Sequence, residues 1–166
     1  GVDIVIELPY VYSTALANEF ARGAITLLDA MKCSTFAFGS EQGTITPFLN
    51  TFSLIESNRQ QYNASIQQAM LTGVSYPQAL HYAYETLKVA YPNDYIDLAQ
   101  PNNILGFHYI EAAKALDSTM QAVTIQRIEA GYYDDINQEK HIASATGIRK
   151  ALFDHQDVCN FFFFFL

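Results

Sequence analysis

The chain has 166 residues, half of them hydrophobic and 16% charged, with 17 Asp and Glu against 9 Lys and Arg for a net charge of −8. A chain of this length buries roughly 70% of its unfolded surface, and this composition excludes a disordered, collagen-like or coiled-coil protein. The acidic balance argues against a nucleic-acid-gripping surface within these residues, and no apolar run approaches the roughly 20 residues needed to span a bilayer.

Asp3 to Leu8 holds the apolar triplet Ile4-Val5-Ile6, the pattern of a strand buried on both faces, and Pro9 ends it. With a strand-like segment at its very start the chain shows no signal peptide. Cys33 and Cys159 are too few and too far apart for a disulfide scaffold or a zinc knuckle, so a cytoplasmic location is expected. Ser13 or Thr14 is suited to cap a helix that places Leu16, Phe20, Leu27, Leu28 and Met31 on one face. Thr35 to Phe38 reads as a second strand, stopped by Gly39-Ser40-Glu41. Thr46-Pro47 starts a long amphipathic helix carrying Phe48, Phe52, Ile55, Tyr62 and Ile66 and ending near Gly73.

Ser75 and Gln78 have the spacing of a capping box and open a helix with Leu80, Ala83, Leu87 and Ala90 inside. Another helix is expected from Asn103 to Leu116, with Leu105, Tyr109, Ala112 and Leu116 on one side. Met120 to Arg127 follows as a strand rich in β-formers. Residues 129 to 140 form a polar, turn-rich loop, and a last helix begins near Ser144 and runs through Arg149 to Phe153. This order is that of an α/β protein, a Rossmann-like parallel sheet with a helical insertion. Residues 1–153 form one partial domain. Residues 154–166 form an atypical tail, because Phe161 to Leu166 are six large apolar residues that a surface terminus rarely exposes, as after a truncation or a frameshift.

Ligands of open parallel sheets bind beyond the carboxyl ends of the strands. Gly39 lies at such an end, where a missing side chain lets backbone approach a ligand, although a plain turn explains it too. Arg127 ends the last strand and is placed to meet a phosphate or to form a rim salt bridge. Ser144, Thr146 and Arg149 sit at a helix start, where N–H groups and the helix dipole favour an anion; simple capping by Ser144 beside a surface Arg accounts for them equally. Of Asn102 and Asn103, one suits an N-cap and the other an adenine or a ribose. His81, His108, His141 and His155 show no metal-ligand spacing, and His108 with Glu111 reads as a solvated i, i+3 pair. The chain carries no GxGxxG, Walker A or CxxC motif, and no metal ligand is assigned.

The segments VDIVIELPY, FGSEQG, QPNNILGFHYIEA, QRIEAGYYDD and IASATGIRKAL, in this order, resemble the tRNA(Met) cytidine acetate ligase family. That family is similar to nucleotidyltransferases with a HIGH-type motif, and SATGIR looks like their phosphate-binding ISSTxIR. The resemblance implies a nucleotidyltransferase-type fold and a ligase of tRNA modification that uses ATP, with Mg²⁺, to turn acetate into acetyl-adenylate. The N4 of the wobble cytidine of elongator tRNA(Met) then attacks the acyl carbon to give N4-acetylcytidine.

By motif, the resemblance places Gly39, Asn102 or Asn103, and Arg127 on the nucleotide, with Ser144, Thr146 and Arg149 completing the phosphate cradle. Catalytic residues are not assigned. The family's first strand and HxGH loop have no counterpart here, so this chain by itself is expected to be inactive, and the basic tRNA-gripping surface is expected elsewhere in the parent. Two other readings compete: a nucleotidyltransferase that moves AMP to a small phosphorylated acceptor, and a non-catalytic helical interaction domain. Oligomeric state is not readable from the sequence.

Overall fold

The structure, a computed structural model, describes residues 2–127, 149–150 and 152–154. The chain divides into two compact units, Glu7–Arg127 on the one hand and Gly1–Ile6 with Ile128–Leu166 on the other. In the second unit, Arg149, Lys150, Leu152 and Phe153 are helical, with the Asp154 N–H donating to the Lys150 carbonyl at 2.9 Å. The turn-rich segment 129–140, the helix start with Ser144 and Thr146, and the tail beyond Asp154 lie outside the described residues.

The unit Glu7–Arg127 contains, in order, α1 (Tyr10–Ser13), α2 (Ala17–Ala30), β1 (Thr35–Ser40), α3 (Thr46–Ser57), α4 (Arg59–Leu71), α5 (Tyr76–Ala90), α6 (Pro101–Ala115) and β2 (Gln121–Gln126). β1 and β2 pair in parallel, with Thr35 opposite Gln121 and Ser40 opposite Gln126. A parallel pair requires a crossover, and here it consists of α3 to α6. This is the expected α/β arrangement with a helical insertion.

β1 alternates strictly: Phe36, Phe38 and Ser40 point into the core, while Thr35, Ala37 and Gly39 face outward. The Phe38 ring meets Phe48 of α3 edge-on at 5.2 Å and Tyr109 of α6 at 5.8 Å. Helix α6 comes this close to the sheet because position 106 has no side chain. A Cβ there would collide with the Phe38 ring and lie 2.9 Å from Phe48 Cε1. Behind this layer, α3 and α5 enclose a polar knot. Tyr84 donates its hydroxyl proton to the Ile96 carbonyl at 2.7 Å, and the Ile96 N–H donates to Thr51 Oγ1 at 3.2 Å. The two bonds satisfy the buried backbone of Ile96 and pin the segment leading to α6. Burial of Tyr84 pushes its phenol far above the ordinary range.

Several elements differ from expectation. Asp3 to Leu8 forms no strand; Ile4 and Val5 are 66% and 87% exposed, and this segment is in no ladder among the described residues. An apolar triplet needs a neighbouring strand to become β-structure, and periodicity says nothing about whether one is there. Ser13 and Thr14 do not cap α2. Their hydroxyls bond back to the Tyr10 carbonyl, closing the unforeseen α1, and Leu16 takes the cap position. The buried face of α2 is Ala21 and Ile25 with Leu28 packed beside them, so Leu16 and Met31 are exposed.

The long helix expected from Thr46 to Gly73 is two. Asn58 turns its side-chain amide back to the Leu54 carbonyl at 2.8 Å and leaves helical geometry, an internal competition typical of Asn. The capping box of Ser75 and Gln78 forms as read. On α5, Ala79, Ala83, Tyr84 and Leu87 are buried while Ala90 is exposed. On α6 the buried stripe is Asn103, Gly106, Phe107, Ile110, Ala112 and Ala113, so Leu116 is largely exposed.

Candidate functional site

Four of the residues singled out from sequence meet at the carboxyl ends of β1 and β2, beside the amino end of α6. The Arg127 N–H extends the ladder by donating to the Ser40 carbonyl at 2.9 Å. This bond sets the Arg127 side chain across Gly39, where a Cβ would lie 3.3 Å from Arg127 Cγ and 3.7 Å from Cδ. The bare backbone of Gly39 is therefore the surface on which the Arg127 stem rests. Arg127 is exposed, and its guanidinium has no ion-pair partner among the described residues. A guanidinium in this state offers its full fork of N–H donors to an anion.

The turn after β1 is held rigidly. Thr124 spends its hydroxyl proton on the Phe38 carbonyl at 3.0 Å, so the 2.7 Å contact to Ser40 is donated by Ser40. Ser40 Oγ in turn accepts the Gly43 N–H at 3.0 Å. Between Ser40 and Gly43, the Glu41 carboxylate reaches the first turn of α6. Its Oε2 accepts the Asn103 N–H at 2.8 Å; its Oε1 accepts the Asn102 side-chain amide at 2.6 Å and the Asn102 N–H at 3.3 Å. Burial alone raises the pKa of this carboxyl, but the hydrogen bonds from Asn102, Asn103 and its own backbone outweigh it and hold the group below the usual carboxylate range.

Neither asparagine is an N-cap: Gln100 occupies that position, and the capping acceptor is Glu41, distant in sequence. Asn103 is 2% exposed and committed on both sides. Its Oδ1 accepts the Gln42 N–H at 3.1 Å, and its Nδ2 donates to the Asp97 carbonyl at 3.1 Å. Its amide is thus part of the scaffold. Asn102 is half-buried, and its Oδ1 has no hydrogen-bond partner among the described residues.

Sequence reasoning missed Gln42 and Asp97 as members of this site, and it reached Glu41 only as the end of the strand-end segment Phe38 to Glu41, without its role. The signal available for Glu41 was an acid just past a strand end, together with a helix start, PNN, that has no acid of its own in its first turn. Ser144 and Thr146 lie outside the described residues, and Arg149 belongs to the second compact unit.

A groove of about 660 Å³ lies elsewhere on the same unit, between α2, α3 and α6. Most of its charges pair with one another, Arg22 with Glu19 at 2.7 Å, Arg59 with Glu56, and His108 Nδ1 with Glu111 at 2.9 Å, while Lys114 has no ion-pair partner among the described residues. His108 and Glu111 are thus an internal pair. Among the described residues no group of three His, Cys, Asp or Glu side chains is arranged to hold a metal ion.

The model of the HIGH Nucleotidyl Transferase family matches residues 1–162. The chain belongs to this family. Among HIGH nucleotidyl transferases, it is 64% identical over 152 residues to the tRNA(Met) cytidine acetate ligase of Lysinibacillus sphaericus, covering 92% of this chain and 38% of that protein. It is 44% identical over 156 residues to the protein of the same name from Bacillus cereus, covering 94% and 39%. The chain therefore spans less than two-fifths of the length of these relatives.

Two crystal structures of Thermotoga maritima TmcAL share the fold. The apo form I superposes with a TM-score of 0.81 at 30% identity over 94% of this chain and 38% of that one. The form II, bound with alpha-thio ATP, does so with a TM-score of 0.77 at 29% identity over 93% and 36%. The expected nucleotidyltransferase-type fold is thereby established for the HIGH nucleotidyl transferase described here.

Proposed function

We propose that this chain is the nucleotide-holding segment of an ATP-dependent ligase that acetylates a cytidine of tRNA(Met). The observation that carries the proposal is Arg127, without an ion-pair partner among the described residues, laid across the bare backbone of Gly39 at the carboxyl ends of two parallel strands. An ATP-analogue complex of a structural relative and the names of the curated relatives support it. In this reading Arg127 takes the phosphates and Asn102 the base, with Asn103 holding the loop rather than the ligand. Ser144, Thr146 and Arg149 are phosphate-binding residues of this reading on the SATGIR motif alone.

An acetate oxygen attacks the α-phosphorus and pyrophosphate leaves. The cytidine N4 then attacks the acyl carbon of the acetyl-adenylate, and AMP leaves. The contribution of Arg127 is electrostatic: a fixed cation beside the oxygens on which charge accumulates. Mg²⁺ belongs to the reading as the usual companion of ATP. Both oxygens of Glu41 accept hydrogen bonds from the start of α6, and among the described residues no group of three His, Cys, Asp or Glu side chains is arranged to hold a metal ion.

The relatives' names support tRNA(Met) and acetate as partners; the elongator form of the tRNA and a cytoplasmic location belong to the same reading through the sequence motifs. No described helix is long and apolar enough to cross a membrane. Turnover is expected to need regions of the relatives that this chain does not span. The test has two stages. ATP is titrated into this chain and into Arg127→Ala, for which affinity should fall about tenfold or more. A protein of the relatives' full length carrying this segment is then assayed for N4-acetylcytidine on tRNA(Met), with and without acetate. Product that forms equally well without acetate, or ATP binding indifferent to Arg127→Ala, refutes the reading.

A further inference from the structure

An ionised carboxylate only accepts hydrogen bonds. Asn102 can therefore meet Glu41 at 2.6 Å in one orientation alone, with Nδ2 toward Glu41 and Oδ1 turned away from it. The orientation is doubly enforced, because the same carboxylate is anchored by the Asn102 and Asn103 N–H groups at the start of α6. The fifteen-residue helix adds its positive end to the attraction. The anchoring is reciprocal: Asn103 of α6 accepts the N–H of Gln42, the neighbour of Glu41. Glu41 thus takes one of the two N–H protons of the Asn102 amide and fixes its orientation, so that Oδ1, without a partner among the described residues, is turned away from the carboxylate.

We propose that Glu41 is a positioning residue that sets base specificity: by holding Asn102 Nδ2 it makes the site present an acceptor, which takes the 6-amino group of adenine and disfavours the 6-oxo group of guanine. This rests on the nucleotide reading of the same site. It also assigns the anion-binding capacity at the amino end of α6 to an internal carboxylate, so the phosphates are left to Arg127. Adenine donates two protons at this position where guanine offers lone pairs. A guanine would set two acceptors against each other and leave a desolvated oxygen unpaired, the situation in which polar sites discriminate most strongly.

The test is the ratio of ATP to GTP affinity, measured by calorimetric titration of the whole chain at neutral pH. It is made on the wild type, Glu41→Gln, Glu41→Ala and, as a stability control far from the site, Ile66→Ala in the α4 core. Wild type and Ile66→Ala should prefer ATP to the same degree. Glu41→Ala frees Asn102 to turn Nδ2 outward. Glu41→Gln keeps the side-chain shape but offers Asn102 a donor as well as an acceptor, so one orientation is no longer enforced, and it serves if the alanine variant fails to fold.

Either Glu41 variant should cut the ATP-to-GTP ratio about tenfold. The ratio is independent of the fraction folded, because both nucleotides see the same folded population. A Glu41 variant that weakens both nucleotides equally therefore shows a merely structural role and overturns the proposal. A wild type that binds both nucleotides equally also overturns it. A wild type that binds neither overturns the nucleotide reading itself, a distinct result that removes this proposal with it.

Discussion

Gly106→Ala tests the packing that places the site. In the interior of a helix this replacement normally stabilises a protein by about 1 kcal/mol, since alanine loses less conformational freedom. Here the added methyl would enter the Phe38 ring, lying 2.8 Å from Cδ2, and would stand 2.9 Å from Phe48 Cε1. Carbon atoms rest comfortably at about 3.5–4.0 Å, so α6 must move off the sheet or two buried rings must rotate together. Overpacking of this kind costs about 1–3 kcal/mol, with the largest values where the neighbours are rigid.

Phe48 is fully buried and Phe38 is wedged between Phe48 and Tyr109, so relief is difficult. The overpacking cost should therefore exceed the propensity gain, for a net destabilisation of about 1–2 kcal/mol. Urea denaturation followed by far-UV circular dichroism measures it. A variant as stable as the wild type, or more so, refutes the close approach of α6 to β1 and with it the reason for a glycine at this position.

Other outcomes follow from the same contacts. Thr51→Val removes the acceptor of the buried Ile96 N–H and should cost about 1–3 kcal/mol, with Thr51→Ser much milder, as read by chemical denaturation; equal losses for both refute the hydrogen-bond account. Gly39→Ala places a Cβ 3.3 Å from Arg127 Cγ, a flexible neighbour, so stability should stay within about 0.5 kcal/mol while ATP affinity falls several-fold in a binding titration. Unchanged affinity would mean that the path of Arg127 over Gly39 is immaterial to the nucleotide.

The Glu41 carboxyl titrates lower in the folded chain than in the unfolded one, so its stabilising contribution is complete above the ordinary carboxylate range and is lost as pH falls through the folded value. Thermal unfolding midpoints of wild type and Glu41→Gln should differ by a constant amount near neutrality and converge below about pH 4.5. A gap that persists undiminished into strong acid would show that the charge of Glu41 plays no part.

The local rules of the chain made much of this protein legible in advance. The capping box at Ser75 and Gln78, the start of a helix at Thr46-Pro47, the alternation of Thr35 to Phe38 and the β-rich run ending at Arg127 each depend on near neighbours. Each forms as read. Gly39 and Arg127 were likewise marked from sequence as strand-end residues, and the structure brings the two together there. The polar pattern of PNN marked Asn102 and Asn103 but did not tell them apart.

Tertiary structure decided the rest, because it depended on partners distant in sequence. Asp3 to Leu8 carries the composition of a buried strand and forms none, since a strand exists only through its neighbour. The helix break at Asn58 hung on whether its amide would turn to Leu54 or to solvent. The division of labour in the site rests on Glu41, which is 61 residues from Asn102 in the chain and 2.6 Å from its amide in space. Gln42 and Asp97 make the Asn103 amide scaffold, and Glu41 fixes the Asn102 amide with its Oδ1 lacking a partner among the described residues. Residue types near a strand end identify a site, but only the three-dimensional hydrogen-bond partners decide which of them are left to touch a ligand.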